Sequence, residues 1–158
     1  MSDPRILIAG VGNIFFGDDA FGCEVIKKLD RENLPAHVTA IDFGIKIRDL
    51  AYELINNYEL IILVDAVVRG EKPGTLYLIE PPTESLSEQN IFAAHNLKLS
   101  ATIALAHQLG AKINKVLLVG CEPESFDPND LNQTVRLTVG KAIELIKKII
   151  AEQNGKHK

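Results

Sequence analysis

The stretch that most constrains the fold is Leu60–Val68, an apolar run broken only by Asp65. It is rich in β-branched residues and shows no polar alternation, so it predicts a central strand buried on both faces. Such strands belong to parallel sheets covered by helices on either side, and the rest of the chain reads accordingly. Ile6–Ala9 is a second short apolar run, ending in Gly10-Val11-Gly12-Asn13. The apolar positions Phe21, Val25, Ile26 and Leu29 follow at helical spacing, with Asp18 and Asp19 placed where a helix start favours acids. Val38–Asp42 predicts a strand ending in an acid, Leu50, Leu54 and Ile55 a helix, and Val116–Gly120 another buried strand.

Thr75–Glu80 alternates in character and follows the turn cluster 69–74. The short link predicts a hairpin with the central strand, and so an antiparallel edge. Pro81–Asn90 predicts a loop, Leu97–Leu109 a helix, and Val135 to Ile150 a long amphipathic helix. There is neither a repeat nor an internal linker. The expectation is one α/β domain over residues 1–158: a three-layer α/β/α sandwich around a mostly parallel five-stranded sheet with one antiparallel edge strand, with a frayed tail from about residue 154.

Composition narrows function mainly by exclusion. A chain of 158 residues can bury roughly 70% of its unfolded surface, and 46% hydrophobic content argues against disorder. Asp+Glu outnumber Lys+Arg by 21 to 17, which leaves no basic footprint for nucleic acid. Two cysteines, Cys23 and Cys121, cannot build a disulfide scaffold or a Cys-rich zinc site. No segment reads as a signal peptide or a membrane span. The expectation is a cytoplasmic enzyme or binding domain without membrane or nucleic-acid partners.

The glycine-rich turn at Gly10-Val11-Gly12 invites a dinucleotide reading, with Asp42 suited to a ribose contact. The fingerprint needs a third glycine where Phe15 stands, so a nucleotide-binding α/β protein is a minor alternative. No Gly-Lys-Ser/Thr or Gly-x-Ser-x-Gly motif is present. The strand-end acids carry more information, because ligands of parallel α/β sheets sit beyond the carboxyl ends of the strands. Asp19 lies at the entry to the first helix, where its ordinary role would be capping. Asp65 interrupts the central strand near its end, where a lone carboxylate is costly unless it is paired, bound to backbone N–H groups or bound to a metal. His95 precedes a helix on the same rim, where a single histidine is ordinarily structural or exposed; His37, His107 and His157 adjoin no strand-end acid. Asp19, Asp65 and His95 together would offer two oxygen donors and one imidazole to a borderline divalent ion such as zinc or nickel.

The run Gly10-Val11-Gly12-Asn13-Ile14-Phe15-Phe16-Gly17-Asp18-Asp19-Ala20-Phe21-Gly22 resembles the N-terminal signature of the [NiFe]-hydrogenase maturation proteases. The resemblance continues through Leu63-Val64-Asp65-Ala66-Val67, His95-Asn96-Leu97 and Leu118-Val119-Gly120-Cys121-Glu122-Pro123-Glu124. It implies an endopeptidase that removes a short C-terminal extension from a nickel-loaded hydrogenase large-subunit precursor. It also implies that Asp19, Asp65 and His95 are both the catalytic and the nickel-contacting positions. No cofactor would be permanently bound; the nickel would arrive with the precursor, whose thiolates would complete the coordination. A non-enzymatic nickel-handling chaperone on the same scaffold is the alternative. Two stretches depart from the family's pattern: Asp42-Phe43-Gly44-Ile45 stands for Asp-Gly-Gly-Thr, and Gly120-Cys121-Glu122-Pro123 for Gly-Ile-Gln-Pro. With no base next to Cys121 in sequence, a cysteine protease is not expected.

Overall fold

A computed structural model of the protein describes residues 3–80, 97–128 and 130–155. Strand β1 (Ile6–Val11) is followed by a 3-10 turn at Gly17–Ala20 and helix α1 (Phe21–Leu29). Then come β2 (Val38–Gly44), α2 (Ile47–Glu53), β3 (Leu60–Ala66), β4 (Leu76–Ile79), α3 (Leu97–Gln108), β5 (Val116–Cys121) and α4 (Gln133–Gly155). The sheet order is β2-β1-β3-β5-β4, parallel throughout except for β4.

Two apolar layers hold helices to this sheet, and strand alternation assigns residues to them. Ile6, Ile8, Leu60, Ile62, Val64, Leu117 and Val119 pack with Phe21, Val25 and Ile26 of α1 and with Val135, Val139, Ile143 and Ile146 of α4. On the other face Leu7, Ala9, Ile61, Leu63, Val116 and Leu118 pack with Leu50 and Ala51 of α2 and Ile103 and Ala106 of α3. Every residue of β3 is buried, as its unbroken apolar run requires. Truncating Ile62 to alanine should therefore cost about 2–5 kcal/mol.

The expected three-layer sandwich with one antiparallel edge is present, but the expected hairpin is not. β4 pairs with β5, in register Leu76↔Cys121 to Ile79↔Leu118. β3 cannot accept β4, because its two sides are taken by β1 and β5. The 67–75 connection instead carries the chain past the end of β5, with Val67 N–H donating to Cys121 O at 2.9 Å and Gly74 N–H to Glu122 O at 2.8 Å. The central strand also stops at Ala66, two residues short of the apolar run. Helix α4 runs through Asn154 and Gly155, residues expected in the tail, and Asn154 Oδ1 sits 2.9 Å from His37 Nε2. The loop expected at 81–90 and residues 156–158 lie outside the described residues.

Two glycines let the β1 edge and α1 meet at backbone contact. A Cβ on Gly22 would fall 2.2 Å from Val64 O and 2.5 Å from Val11 O, so no side chain fits between α1 and the β1–β3 pair. Gly12 has φ +139°, and a Cβ there would lie 1.9 Å from Asp19 O. The loop after β1 is thus packed directly on the 3-10 turn that carries Asp19.

Candidate active site at the carboxyl edge of the sheet

The connections that follow β1, β2, β3 and β5 all lie at one end of the sheet, the end where parallel α/β folds bind ligands. α3 reaches β5 through a short link at that strand's start, so it opens at this same end. Asp19 enters the rim on the 3-10 turn. Its Oδ2 accepts the Asn13 N–H at 3.0 Å, while Asn13 Oδ1 accepts the Phe15 N–H at 2.9 Å. Asp19 is not a helix cap: no side chain caps the 3-10 turn or α1.

Asp65 is 7% exposed, and its Oδ1 accepts the Ala66 N–H at 2.8 Å. Burial, and next the negative charge of Asp19, push its carboxyl well above the ordinary carboxylate range. The structure therefore brings Asp19 and Asp65 within electrostatic reach of each other. His95 lies outside the described residues; α3 opens two positions later, at Leu97. A buried carboxylate held beside a second one favours neutralisation by a proton or a cation.

Three further residues belong to this rim. Cys23 on α1 is buried and donates from Sγ to Gly12 O at 3.7 Å. Burial, then the carboxylates of Asp42, Asp19 and Asp65, drive its thiol far up, so it stays protonated and non-nucleophilic. Cys121 is likewise buried, and burial pushes it up to about 11. Neither thiol suits a cysteine protease. Asp42 closes a local turn by accepting the Gly44 N–H at 2.9 Å, and Gly44 O accepts the Gly12 N–H at 3.0 Å, which ties the β1 and β2 ends together. A dinucleotide does not suit this loop: it passes through Phe15, Phe16 and the 3-10 turn before α1 begins, whereas a dinucleotide fold opens its helix directly on the glycine turn.

Sequence reasoning missed two buried carboxylates that fasten the rim. Asp18 is 0% exposed. Its Oδ2 accepts N–H groups of Glu124 (2.7 Å) and Ser125 (3.0 Å) and the Asn132 side-chain amide (2.9 Å), and its Oδ1 accepts the Asn132 N–H (2.8 Å). Burial alone would raise its pKa, but these donors together outweigh burial and hold it below its ordinary value. Asp18 so fixes the turn bearing Asp19 to the β5–α4 connection. Glu122 does the same for the β3–β4 connection: its Oε1 accepts the Arg69 N–H at 2.9 Å, the Glu71 N–H at 3.2 Å and the Tyr77 hydroxyl. Burial opposes its ionisation, yet the Tyr77 hydroxyl and the backbone donors hold it below its ordinary value. The only sequence signals were the doubled acid at Asp18-Asp19 and a glutamate where the family pattern has glutamine.

The comparisons agree with this fold. The family model for hydrogenase maturation proteases (HycI) matches residues 23–149. A putative hydrogenase maturation protease of Methanocaldococcus jannaschii is 36% identical, covering 92% of this chain and 96% of its own. The hydrogenase 2 maturation protease of Escherichia coli K12 is 31% identical, covering 90% of this chain and 88% of its own. Among solved structures, the hydrogenase maturating endopeptidase HybD from Escherichia coli superposes with a TM-score of 0.80 at 29% identity, covering 94% of this chain and 93% of that one. The paired strand-end acids, the backbone-tight glycine signature and these matches lead to one conclusion: this chain belongs to the hydrogenase maturation protease family.

Proposed function

We propose that this chain is an endopeptidase that removes the C-terminal extension of a nickel-loaded hydrogenase large-subunit precursor. Family membership supports peptidase activity and a precursor of this general kind. The observation that carries the site assignment is the pairing of Asp65, buried in the end of the central strand, with Asp19 on the turn above it. Two carboxylates so placed offer oxygen donors to a cation, and His95 is the third donor. Such a set is incomplete for nickel or zinc, and donors on the precursor would complete it. A precursor without the ion would lack the bridge between the partners, which supplies specificity for completed assembly.

In this reading the substrate's nickel is a positioning element. It holds the scissile peptide beside Asp19 and Asp65, either of which activates water as a general base. The competing possibility is that the metal polarises the scissile carbonyl directly. Substitution probes the positioning role: Asp19→Asn that loses precursor binding supports positioning, whereas intact binding with lost turnover gives Asp19 a part in the chemical step. For the site itself, Asp65→Asn and His95→Ala should each abolish shortening of the precursor. Full activity in His95→Ala would remove that residue from the assignment. A nickel-handling chaperone on this scaffold would bind the precursor and leave its mass unchanged.

Among the described residues no helix is long and apolar enough to cross a membrane. The cytoplasm is the compartment proposed for the chain, and the reading calls on no lipid partner.

A further inference from the structure

The rim that holds Asp19 and Asp65 is ringed by exposed apolar side chains. Ile14, Phe15 and Phe16 follow β1, Ile45 follows β2, Val68 follows β3 and Phe126 follows β5. Phe15 is 72% exposed and Ile45 66%. These loops are stitched to one another: Gly12 N–H donates to Gly44 O at 3.0 Å, and Asp18 N–H donates to Ser125 O at 3.0 Å. Asn13 holds the Phe15 turn from below. With roughly 200 Å² for a buried aromatic ring and somewhat less for the aliphatics, the exposed fractions give roughly 600 Å² of apolar surface. That is at the top of the range for the largest patch on a monomer, and such patches mark interaction sites.

Resting on the protease reading, we infer that this collar is the docking surface for an apolar face of the precursor next to its C-terminal segment. Three observations select that occupant. The collar surrounds the candidate site, so whatever covers it delivers chain directly to Asp19 and Asp65. Its area falls short of the roughly 800 Å² per partner of a standard stable interface, which suits a partner that must be released after cleavage. A second copy of this chain would bring two acidic rims face to face and seal both sites, which costs energy and defeats access. The collar thus provides affinity, while the acids and the substrate's metal provide register.

The test uses the wild-type chain, Phe15→Ser, Ile45→Ser and, as a control on α4, the 63% exposed Leu137→Ser. Dissociation constants for the immobilised nickel-loaded precursor are measured along with kcat and KM for its shortening. Each collar variant should weaken binding and raise KM about tenfold with kcat within twofold, and Leu137→Ser should match wild type. Using two separate collar positions keeps the test intact if one variant fails to fold. Unchanged binding in both, or an equal loss in Leu137→Ser, overturns the collar. Concentration-dependent dimerisation of the wild type that Phe15→Ser abolishes also overturns it and assigns the surface to a second copy. Wild type that binds through the collar without cutting refutes the protease reading alone. Cutting with collar variants indistinguishable from wild type refutes the collar alone, and wild type that neither binds nor cuts refutes both.

Discussion

Replacing the fully buried Asp18 by alanine removes the acceptor for four donors that are themselves part-buried: the N–H groups of Glu124, Ser125 and Asn132 and the Asn132 side-chain amide. A buried donor left without a partner costs about 1–3 kcal/mol. Water entering the vacated volume recovers part of this, so the net loss should be about 3–5 kcal/mol. Against a total stability of about 5–15 kcal/mol this is severe, and at roughly 2–4 °C per kcal/mol it lowers Tm by about 10 °C. Asp18→Asn is the milder case. Its amide oxygen can keep the three bonds now made to Oδ2, while its NH2 group faces the Asn132 N–H, donor against donor. The loss should then be about 1–2 kcal/mol. The pH dependence has a definite sign. Because the folded pKa of Asp18 lies below its ordinary value, its ionised form adds stability above the unfolded carboxylate's pKa, about 3.9. That contribution is lost as pH falls through the lowered folded value. Urea unfolding of wild type, Asp18→Asn and Asp18→Ala at pH 7 and pH 3 measures all of this. The reasoning fails if Asp18→Ala lies within 1 kcal/mol of wild type at pH 7, or if the gap between wild type and Asp18→Asn does not narrow by pH 3.

Other expectations follow from the same structure. Gly22→Ala should prevent a native fold or cost more than about 3 kcal/mol, because the new methyl meets two backbone oxygens that cannot move aside; circular dichroism and thermal unfolding report it. Gly70→Ala should cost only about 1 kcal/mol, since its φ of +84° is strained for alanine but nothing lies within 4 Å. Glu122→Gln should destabilise at neutral pH by about 1–2 kcal/mol, and its gap from wild type should narrow as pH falls below the ordinary glutamate range. The folded Glu122 carboxylate is held below its ordinary value, so its contribution exists above about pH 4.3 and fades on acidification. Thermal unfolding at several pH values would show a constant gap if this is wrong. Cys23 should resist alkylation by iodoacetamide at pH 7.5 in the folded protein, given its burial and three neighbouring carboxylates; rapid labelling without unfolding would contradict the placement.

How much could be read from sequence varied with the range of the forces involved. β3 was legible because a strand buried on both faces leaves an unbroken apolar run, and Asp65 stood out as the polar exception. The partner of β4 was not legible: a short link predicts a hairpin locally, but β5, arriving forty residues later, occupies the intervening place in the sheet. Asp19 and Asp65 could be nominated as strand-end acids, since the carboxyl edge of a parallel sheet is where such groups gather. Which of the adjacent acids Asp18 and Asp19 turns inward was not legible. That choice depends on donors from residues 124–132, more than a hundred positions away. The same holds for Glu122, whose role comes from a loop over fifty residues upstream. His95 was nominated by its place before α3 and by the family resemblance, and it lies outside the described residues.

The central claim is that Asp19, Asp65 and His95 cut a precursor that brings its own nickel. It is tested most directly by incubating the chain with nickel-loaded and nickel-free large-subunit precursor and measuring the intact mass of the large subunit. The account predicts that the loaded precursor alone loses its C-terminal extension, with wild type active and Asp65→Asn inactive. An unchanged mass with the correct loaded partner, or equal shortening of the nickel-free precursor, would contradict it.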